Sequence, residues 1–260
     1  MKSRFAGFLD KGGLREVRLL GHLFAYGGAR GLPSLVRYFF LKLLRIPVAV
    51  PLRLGPHRWS ATTMRPGGLR FFVEVIVRRS YAAVEDDLRR LPAPLVVDAG
   101  ANCGAFALWA LSVNPSARVI SFEPGSSFER LVANCALRGA GEAWRVERCA
   151  LAAASGRGFF ADDPHSSMGK LRESGTTEVE IRALDDCALP ADLLKIDVEG
   201  HEAEMLKGAA KTLANARVVV LEYHREDLRL QCRDLLAAQG YALEEVGGAA
   251  LLIGRKAQAS

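Results

Sequence analysis

Short apolar runs alternate with segments of helical periodicity from residue 95 onward. The apolar runs lie at 95–97, 119–122, 144–146, 193–196 and 218–221. Segments with apolar residues at helical spacing separate most of these runs, near 104–113, 126–138, 201–215 and 225–239. Because strands that alternate with helices form βαβ units, the pattern predicts a parallel sheet covered on both faces. The fold class is therefore α/β, with a mostly parallel, doubly wound sheet.

Two segments that break the alternation of strands and helices predict additional strands. Runs at 241–246 and 249–253, joined by two glycines, are typical of an antiparallel hairpin. Runs at 158–160 and 177–182 indicate extra strands, inserted before the fourth core strand and separated by a polar loop. The α/β domain is thus predicted to contain a small insertion and to close with a C-terminal antiparallel hairpin.

Charge divides the chain into two unlike parts. Residues 1–70 contain 13 Lys and Arg and only two acids, Asp10 and Glu16, which gives a net charge of +11. The remaining residues carry 22 bases and 27 acids, a net charge of −5. A uniformly basic nucleic-acid-binding protein is therefore disfavoured. We predict a basic helical N-terminal arm and linker at 1–70, and a catalytic-type domain at 71–260.

The N-terminal arm has the pattern of two short amphipathic helices, at 14–31 and 33–46, followed by an irregular, proline-rich linker at 47–70. In the second helix an apolar stripe edged by bases is formed by Leu35, Val36, Phe39, Phe40, Leu43 and Leu44. Two interpretations stay open. The commoner one is a helical lid or dimerisation arm packed on the main domain, and the other is an interfacial helix lying on an anionic membrane.

The cysteine pattern indicates a reducing compartment, and the apolar pattern disfavours a membrane span. The five cysteines are scattered and never form a Cys-x-x-Cys pair, which argues against a disulfide framework or a zinc knuckle. No apolar stretch approaches the roughly 18–20 residues that cross a bilayer. The first residues also lack the pattern of a signal peptide. We predict a cytoplasmic protein, with peripheral contact at the inner membrane face if the arm is interfacial.

Polar residues follow the first and second predicted strands. The first strand is followed by Asp98 and by a loop with Gly100, Asn102 and Gly104, and its glycines permit a tight turn close to a ligand. The second strand ends at Glu123, whose carboxylate can accept hydrogen bonds from both ribose hydroxyls. Because open α/β sheets bind ligands beyond the carboxyl ends of their strands, these residues predict a nucleoside cofactor. A helix cap at Asp98 and a solvated strand-end acid at Glu123 are the alternatives.

The glycine spacing indicates which cofactor. A dinucleotide fold requires Gly-x-Gly-x-x-Gly, whereas Gly100 and Gly104 here lack the middle glycine that admits a pyrophosphate. The carboxylate of Asp98 would also repel a phosphate, although it can pair with an ammonium. S-adenosylmethionine carries an amino group and a sulfonium but no phosphate. The loop therefore favours S-adenosylmethionine.

Ionisable residues gather after the fourth and fifth predicted strands. Asp197, Glu199 and His201 follow the fourth strand, and His224 follows the fifth. Because the ends of neighbouring parallel strands share one rim, these groups are predicted to converge. Such a cluster provides either a general base that deprotonates a hydroxyl or ligands for a divalent cation. Helix capping by the acids and a surface ion pair for His224 are the structural alternatives.

Five motifs in this order resemble the FkbM family of methyltransferases. They are VDAGANCG at 97–104, SFEP at 121–124, LKIDVEGHE at 194–202, LKGA at 206–209 and LE at 221–222. The first motif alone is typical of class I methyltransferases in general, and KIDVEG narrows the likeness to this family. The resemblance implies a Rossmann-like class I methyltransferase fold that uses S-adenosylmethionine, and so a methyltransferase domain at 71–260.

The resemblance also implies an activity and roles for single residues. The implied reaction is methyl transfer to a hydroxyl oxygen of a sugar, a glycolipid or a polyketide-type natural product. The residues implied at the methionine end of the cofactor are Asp98, Gly100, Asn102 and Gly104, and the residue implied at the ribose is Glu123. Those implied beside the reacting methyl are Asp197, Glu199 and His201. Ser166 and Ser167 resemble a serine of the family's inserted loop, and we predict that they face the acceptor.

Within the acid cluster we rank Asp197 first as the general base, Glu199 second and His224 third. Three other functions compete with this one. The missing glycine disfavours a nucleotide-dependent oxidoreductase. A non-catalytic, membrane-attached scaffold would make the N-terminal arm the active part. Nucleic-acid methylation is disfavoured because a phosphate backbone needs a basic track, so the predicted acceptor is a small molecule, a glycan or a lipid-linked sugar.

Overall fold

The computed structural model describes residues 11–63, 68–139, 141–162, 169–172, 174–175, 177–247 and 250–256. The chain divides into two compact units, Met1–Ser80 and Tyr81–Ser260. The predicted domains at 1–70 and 71–260 stay a prediction. Ser166 and Ser167 lie outside the described residues.

The first unit consists of a long helix and a β-hairpin. Its elements are α1 (Lys11–Leu43), β1 (Ala49–Leu54), β2 (His57–Thr62) and α2 (Gly68–Phe72), followed by a π-helical turn (Val73–Val77). Gly28 in α1 has non-helical backbone angles (φ 58°, ψ −169°), which glycine adopts readily because it has no Cβ. Helix α1 is therefore two helical segments joined by a kink. The sequence predicts two segments as well, but it places the break between residues 31 and 33.

The β1–β2 hairpin lies where the sequence predicts an irregular linker. Val50, Leu52 and Leu54 are buried while the residues between them are exposed, which is the period of a half-buried strand. Pro51 is tolerated because each strand of a two-stranded sheet keeps one edge that needs no N–H donor. The prediction was wrong over 49–62 because it gave the prolines more weight than this alternation.

The second unit contains the predicted alternation of strands and helices. Its strands are β3 (Leu95–Ala99), β4 (Arg118–Phe122), β5 (Trp144–Glu147), β6 (Ala150–Leu151), β7 (Gly156–Asp162), β8 (Gly169–Arg172), β9 (Thr177–Arg182), β10 (Leu193–Ile196), β11 (Val218–Glu222), β12 (Ala242–Val246) and β13 (Leu251–Arg255). Its helices are α3 (Glu85–Arg90), α4 (Ala105–Val113), α5 (Phe128–Arg138), α6 (Glu202–Lys207), α7 (Ala210–Asn215) and α8 (Glu226–Ala238). Short 3₁₀ turns lie at Ala82–Val84, Gly141–Ala143 and Leu184–Cys187.

The main sheet has seven strands in the order β12-β13-β11-β10-β3-β4-β5. The five strands from β11 to β5 are parallel, and β13 and β12 pair antiparallel at the other edge. This arrangement confirms the predicted doubly wound sheet with its C-terminal hairpin. The chain runs outward in one direction from β3 to β5 and in the other from β10 to β11. Strands β3 and β10 therefore flank the topological switch point, where ligands bind in folds of this kind.

A second sheet forms from the segment between β5 and β10. It has four strands in the order β6-β9-β7-β8, and it contains the two extra strands that the sequence predicts before the fourth core strand. Within the part of the chain that the structure describes, no helix is both long enough and apolar enough to span a bilayer.

Candidate active site

A cleft opens at the carboxyl ends of β3, β4 and β10, at the switch point of the main sheet. Its polar wall is formed by Gly100, Asn102, Glu123, Asp197, Glu199 and His201. Its apolar wall includes Phe122, Leu151 and Phe160. The cleft is open to solvent, and its volume is about 570 Å³ when the solvent-open part is included. Six of the predicted site residues thus face one cavity.

The two glycines of the loop after β3 serve different purposes. Gly100 has a φ of +75°, and a Cβ on it would overlap the carbonyl oxygen of Asp197, so the loops after β3 and β10 can touch only if this residue is glycine. Gly104 has a φ of +87°, and a Cβ there would lie 2.6 Å from the Trp144 ring. Gly100 therefore shapes the cleft, whereas Gly104 allows the start of α4 to pack on Trp144.

Glu123 ties the loop after β3 to the end of β4. Its Oε2 accepts a hydrogen bond from the Asn102 N–H at 2.8 Å, and its Oε1 accepts one from the Gly125 N–H at 2.8 Å. The carboxylate is buried yet lines the cleft. Since each carboxylate oxygen has two acceptor sites, Glu123 can hold the loop and still accept hydroxyl donors.

A buried ion pair lies beneath the cleft. The Lys195 Nζ is 3.2 Å from Oδ1 of Asp98 and 3.5 Å from Oδ2 of Asp197. It also donates a hydrogen bond to the Gly100 carbonyl at 2.8 Å. Burial lowers the pKa of Lys195, but the charges of Asp98 and Asp197 outweigh that effect and raise it, so the ammonium stays charged. Lys195 therefore joins the two loops that form the cleft.

Asp98 takes part in this pair rather than in the cleft wall. It is fully buried on β3, where Ser121 donates to its Oδ2 at 3.2 Å, and Trp144 in turn donates to Ser121 at 3.0 Å. Its position implies that it holds Lys195. Lys195 itself is not among the predicted site residues. Its signal in the sequence was a lysine inside a run of apolar residues predicted to be a buried strand.

Asp197, Glu199 and His224 converge as predicted. The Nε2 of His224 lies 3.1 Å from Oε2 of Glu199 and 3.7 Å from Oδ1 of Asp197. One ligand atom from each of the three lies within 4.8 Å of the others, so the group could hold a metal ion. Glu199 has a φ of +52°, and such left-handed strain in a residue with a side chain is typical of functional sites.

The other ring nitrogen of His224 is hydrogen-bonded to Glu202. Glu202 is not among the site residues that the sequence predicts. The fully buried carboxylate of Glu202 accepts from Nδ1 of His224 at 3.0 Å and from the Gly200 N–H at 2.8 Å. Burial lowers the pKa of His224, but the hydrogen bond to Glu202 and the charges of Asp197 and Glu199 outweigh it and raise the pKa to about 9. His224 is therefore an imidazolium at neutral pH.

We expect charged His224 to stabilise the fold at neutral pH and to lose that contribution in alkali. Its folded pKa of about 9 exceeds the unfolded value, about 6.5, so the stabilisation is complete below pH 6.5 and is lost as the pH rises through about 9. The shift corresponds to about 3 kcal/mol in the free energy of unfolding. Urea unfolding of wild type and His224→Gln checks this: the difference between them is expected to shrink from about pH 6 to about pH 10.

His22→Gln is the matched control, because it replaces an exposed histidine of the first unit. It controls for the loss of a histidine as such. A His224→Gln difference that does not change with pH would contradict a charged His224.

The sheet order, the glycine-containing loop at the switch point and the strand-end carboxylate of Glu123 fit the class I methyltransferase fold. A family model described as "Methyltransferase FkbM domain" matches residues 98–243, more than half of the chain. The chain belongs to the FkbM methyltransferase family.

Three relatives are named methyltransferases. Methyltransferase sdnD of Sordaria araneosa is 29% identical over 60% of this chain and 76% of its own length. The 2-O-methyltransferase NoeI of Sinorhizobium fredii is 28% identical over 53% of this chain and 66% of its own. Hexuronic acid methyltransferase AglP of Haloferax volcanii is 30% identical over 49% of this chain and 54% of its own. The match therefore spans between about half and three quarters of these relatives.

The solved structures that resemble this chain include a member of the same family. The crystal structure of a methyltransferase FkbM from Methylobacillus flagellatus superposes with a TM-score of 0.50 and 18% identity. The superposition covers 71% of this chain and 47% of that one. At this identity the likeness supports the fold alone.

Proposed function

We propose that the protein transfers the methyl group of S-adenosylmethionine to a hydroxyl oxygen of a sugar, a glycolipid or a polyketide-type natural product. The observation that carries the proposal is the position of Asp197, which lines the cleft at the end of β10. The Asp197 side chain is 24% exposed, so a hydroxyl in the cleft can reach its carboxylate. The names of NoeI and AglP, an O-methyltransferase and a methyltransferase of a sugar acid, support this substrate class.

The residues of the cleft fit S-adenosylmethionine. Glu123 offers acceptor sites for a ribose, and the apolar wall at Phe122 and Phe160 suits a purine ring. Asp197 and Glu199 place carboxylates at the other side of the cleft, where they attract a sulfonium and an ammonium. No backbone cradle for a pyrophosphate follows β3, since the position of the middle glycine is occupied by Asn102. The fit disfavours a nucleotide-dependent oxidoreductase.

The protein's contribution to the reaction is orientation and removal of a proton. S-adenosylmethionine, when bound, supplies an electrophilic methyl carbon on a sulfonium. Asp197 is placed to take up the proton that the hydroxyl loses as its oxygen is methylated, and the electron pair of the carbon–sulfur bond would stay on the sulfur of the donor. Holding both reactants in line contributes about 7–11 kcal/mol in favourable cases. His224 is protonated at neutral pH and serves as a counter-charge for the cluster rather than as the base.

A divalent cation is a second candidate for the same cluster. The spacing of Asp197, Glu199 and His224 favours it, and Glu202 occupies the position of the carboxylate that commonly orients a metal-bound histidine. A cation would have to displace the proton of His224. Activity that is lost on treatment with EDTA and restored by Mg²⁺ or Mn²⁺ would support the cation; activity unaffected by EDTA would support Asp197 as an unassisted base.

The proposed function is tested by transfer of a labelled methyl group. Purified protein and labelled S-adenosylmethionine are incubated with a panel of glycans, lipid-linked sugars and hydroxylated natural products. We expect label in an alkali-stable ether on at least one panel member. Calorimetric titration with S-adenosylhomocysteine and with NAD(P)H accompanies the assay. Binding of NAD(P)H without binding of S-adenosylhomocysteine would overturn the proposal.

We expect Glu123→Gln to weaken cofactor binding by about 10- to 100-fold, since a hydrogen bond to a charged group contributes about 1.5–3 kcal/mol. In wild type each carboxylate oxygen accepts from a backbone N–H. In the glutamine variant the NH₂ group replaces one of these oxygens, so a donor faces a donor and one of the two hydrogen bonds is lost. Titration with S-adenosylhomocysteine measures the change. Glu129→Gln, on the exposed face of α5, is the matched control and should bind as wild type does. Unchanged affinity in Glu123→Gln would remove this residue from the ribose site.

A further inference from the structure

Helix α1 has two apolar faces after its kink at Gly28. One face, with Leu35 and Tyr38, is buried. It lies against the β1–β2 hairpin, where the Arg53 N–H donates to Ser34 Oγ at 3.2 Å. A Cβ on Gly31 would approach the Arg53 carbonyl oxygen at 2.5 Å, so helix and hairpin are in close contact. This face therefore provides the contact between the helix and the hairpin within the first unit.

The other apolar face is exposed. It consists of Leu32, Val36, Phe40, Leu43 and Leu44, whose exposed fractions run from 44 to 70%. At about 100° per residue they fall within an arc of about 120° along the helix. Ile46 and Val48 extend the surface beyond the end of α1 and are also exposed. We call these seven residues the apolar ridge. A surface helix normally has one apolar stripe, and a second, contiguous one marks a binding surface.

The charged residues that neighbour the apolar ridge along the chain are all basic. Arg30 and Arg37 lie at its edge on α1, and Arg45 and Arg53 are exposed close to it in the chain. Between Glu16 and Glu74 the sequence contains nine Lys and Arg and no acid. Such a surface complements an anionic one and repels a copy of itself, since a symmetric dimer through the ridge would bring the same arginines together.

We propose that the apolar ridge lies in the interfacial region of an anionic lipid bilayer. Its leucine, valine and phenylalanine side chains enter the boundary of the acyl chains, and the arginines at its rim contact the anionic head groups. The inference does not depend on the methyl-transfer reaction, because every residue that carries it belongs to the first unit. Of the two interpretations left open by the sequence, the proposal favours an interfacial membrane helix over a lid or dimerisation arm.

Co-sedimentation of the full chain with vesicles tests the proposal. One set of vesicles contains phosphatidylcholine alone and the other also contains phosphatidylglycerol. We expect binding to the anionic vesicles, weakened at about 0.5 M salt because screening shortens the range of the charges. The double substitution Val36→Asp with Phe40→Asp should weaken binding by at least about tenfold. The matched control is Val132→Asp with Leu230→Asp, which changes exposed apolar residues of the second unit and should bind as wild type does.

Further measurements separate the remaining outcomes. Circular dichroism and the melting temperature should match wild type in both double variants, because all four side chains are exposed. Arg30→Glu with Arg37→Glu should abolish the preference for anionic vesicles. Failure to bind the anionic vesicles, or equal loss in the control pair, would overturn the proposal. A dimer in light scattering that dissociates only in the ridge variant would also overturn it, because the partner would then be a second copy.

Discussion

Asp197→Asn is expected to lower kcat for methyl transfer by about 10²- to 10⁴-fold, the usual contribution of a positioned general base. Asparagine keeps the shape of the side chain and can still accept from Lys195 through its carbonyl oxygen, but it cannot take up the proton of the hydroxyl. Affinity for S-adenosylhomocysteine is expected to fall much less than kcat, because Glu199 still places a carboxylate in the cleft. Single-turnover measurements with labelled cofactor and calorimetric titration separate the two quantities.

Asp234→Asn is the matched control for this prediction, because it makes the same change at an exposed position of α8. Full turnover in Asp197→Asn with normal cofactor binding would exclude Asp197 as the base. Glu199→Gln and His224→Gln would then identify the group that takes the proton. A base at His224 would also make kcat rise with pH toward about 9, since only the neutral imidazole accepts a proton.

Lys195→Met is expected to reduce the free energy of unfolding by about 3–5 kcal/mol, because it leaves the fully buried carboxylate of Asp98 without a counter-charge. Methionine retains most of the volume of the lysine stem, so the loss comes mainly from charge. Asp98→Asn should cost less, since Asp197 remains beside the ammonium. Urea unfolding followed by tryptophan fluorescence measures both changes.

The double variant Asp98→Asn with Lys195→Met decides whether the two residues act as a pair. We expect it to be more stable than Lys195→Met alone, because no charge on β3 is then left uncompensated. Losses that simply add would show that the two side chains act independently. Lys207→Met, at an exposed lysine of α6, controls for the removal of a lysine charge in general.

The main sheet could be predicted because its strands are buried on both faces and therefore appear as continuous apolar runs. The run at 193–196 coincides with β10, and the runs at 119–122 and 218–221 differ from β4 and β11 by one residue at an end. The convergence of Asp197, Glu199 and His224 could be predicted for a related reason. Residues that directly follow neighbouring parallel strands must share one edge of the sheet.

The supporting contacts could not be predicted, because they depend on which residues face each other. Lys195 meets Asp98 only once β10 and β3 pair in register, Lys195 opposite Asp98. Glu202 meets His224 across 22 positions of sequence, and nothing near either residue indicates the contact. The hairpin at 49–62 is a different case, since the alternation of Val50, Leu52 and Leu54 was visible but the prolines concealed it.

Glu123 has a consequence for the thermodynamics of cofactor binding. A free glutamate side chain loses rotamer entropy equivalent to as much as about 2 kcal/mol when a ligand immobilises it. Here the backbone N–H groups of Asn102 and Gly125 already fix both carboxylate oxygens. That entropy is lost when the chain folds, so the ribose of the proposed cofactor would meet a preorganised acceptor. The entropy loss at Glu123 therefore reduces the favourable free energy of folding instead of the favourable free energy of ligand binding.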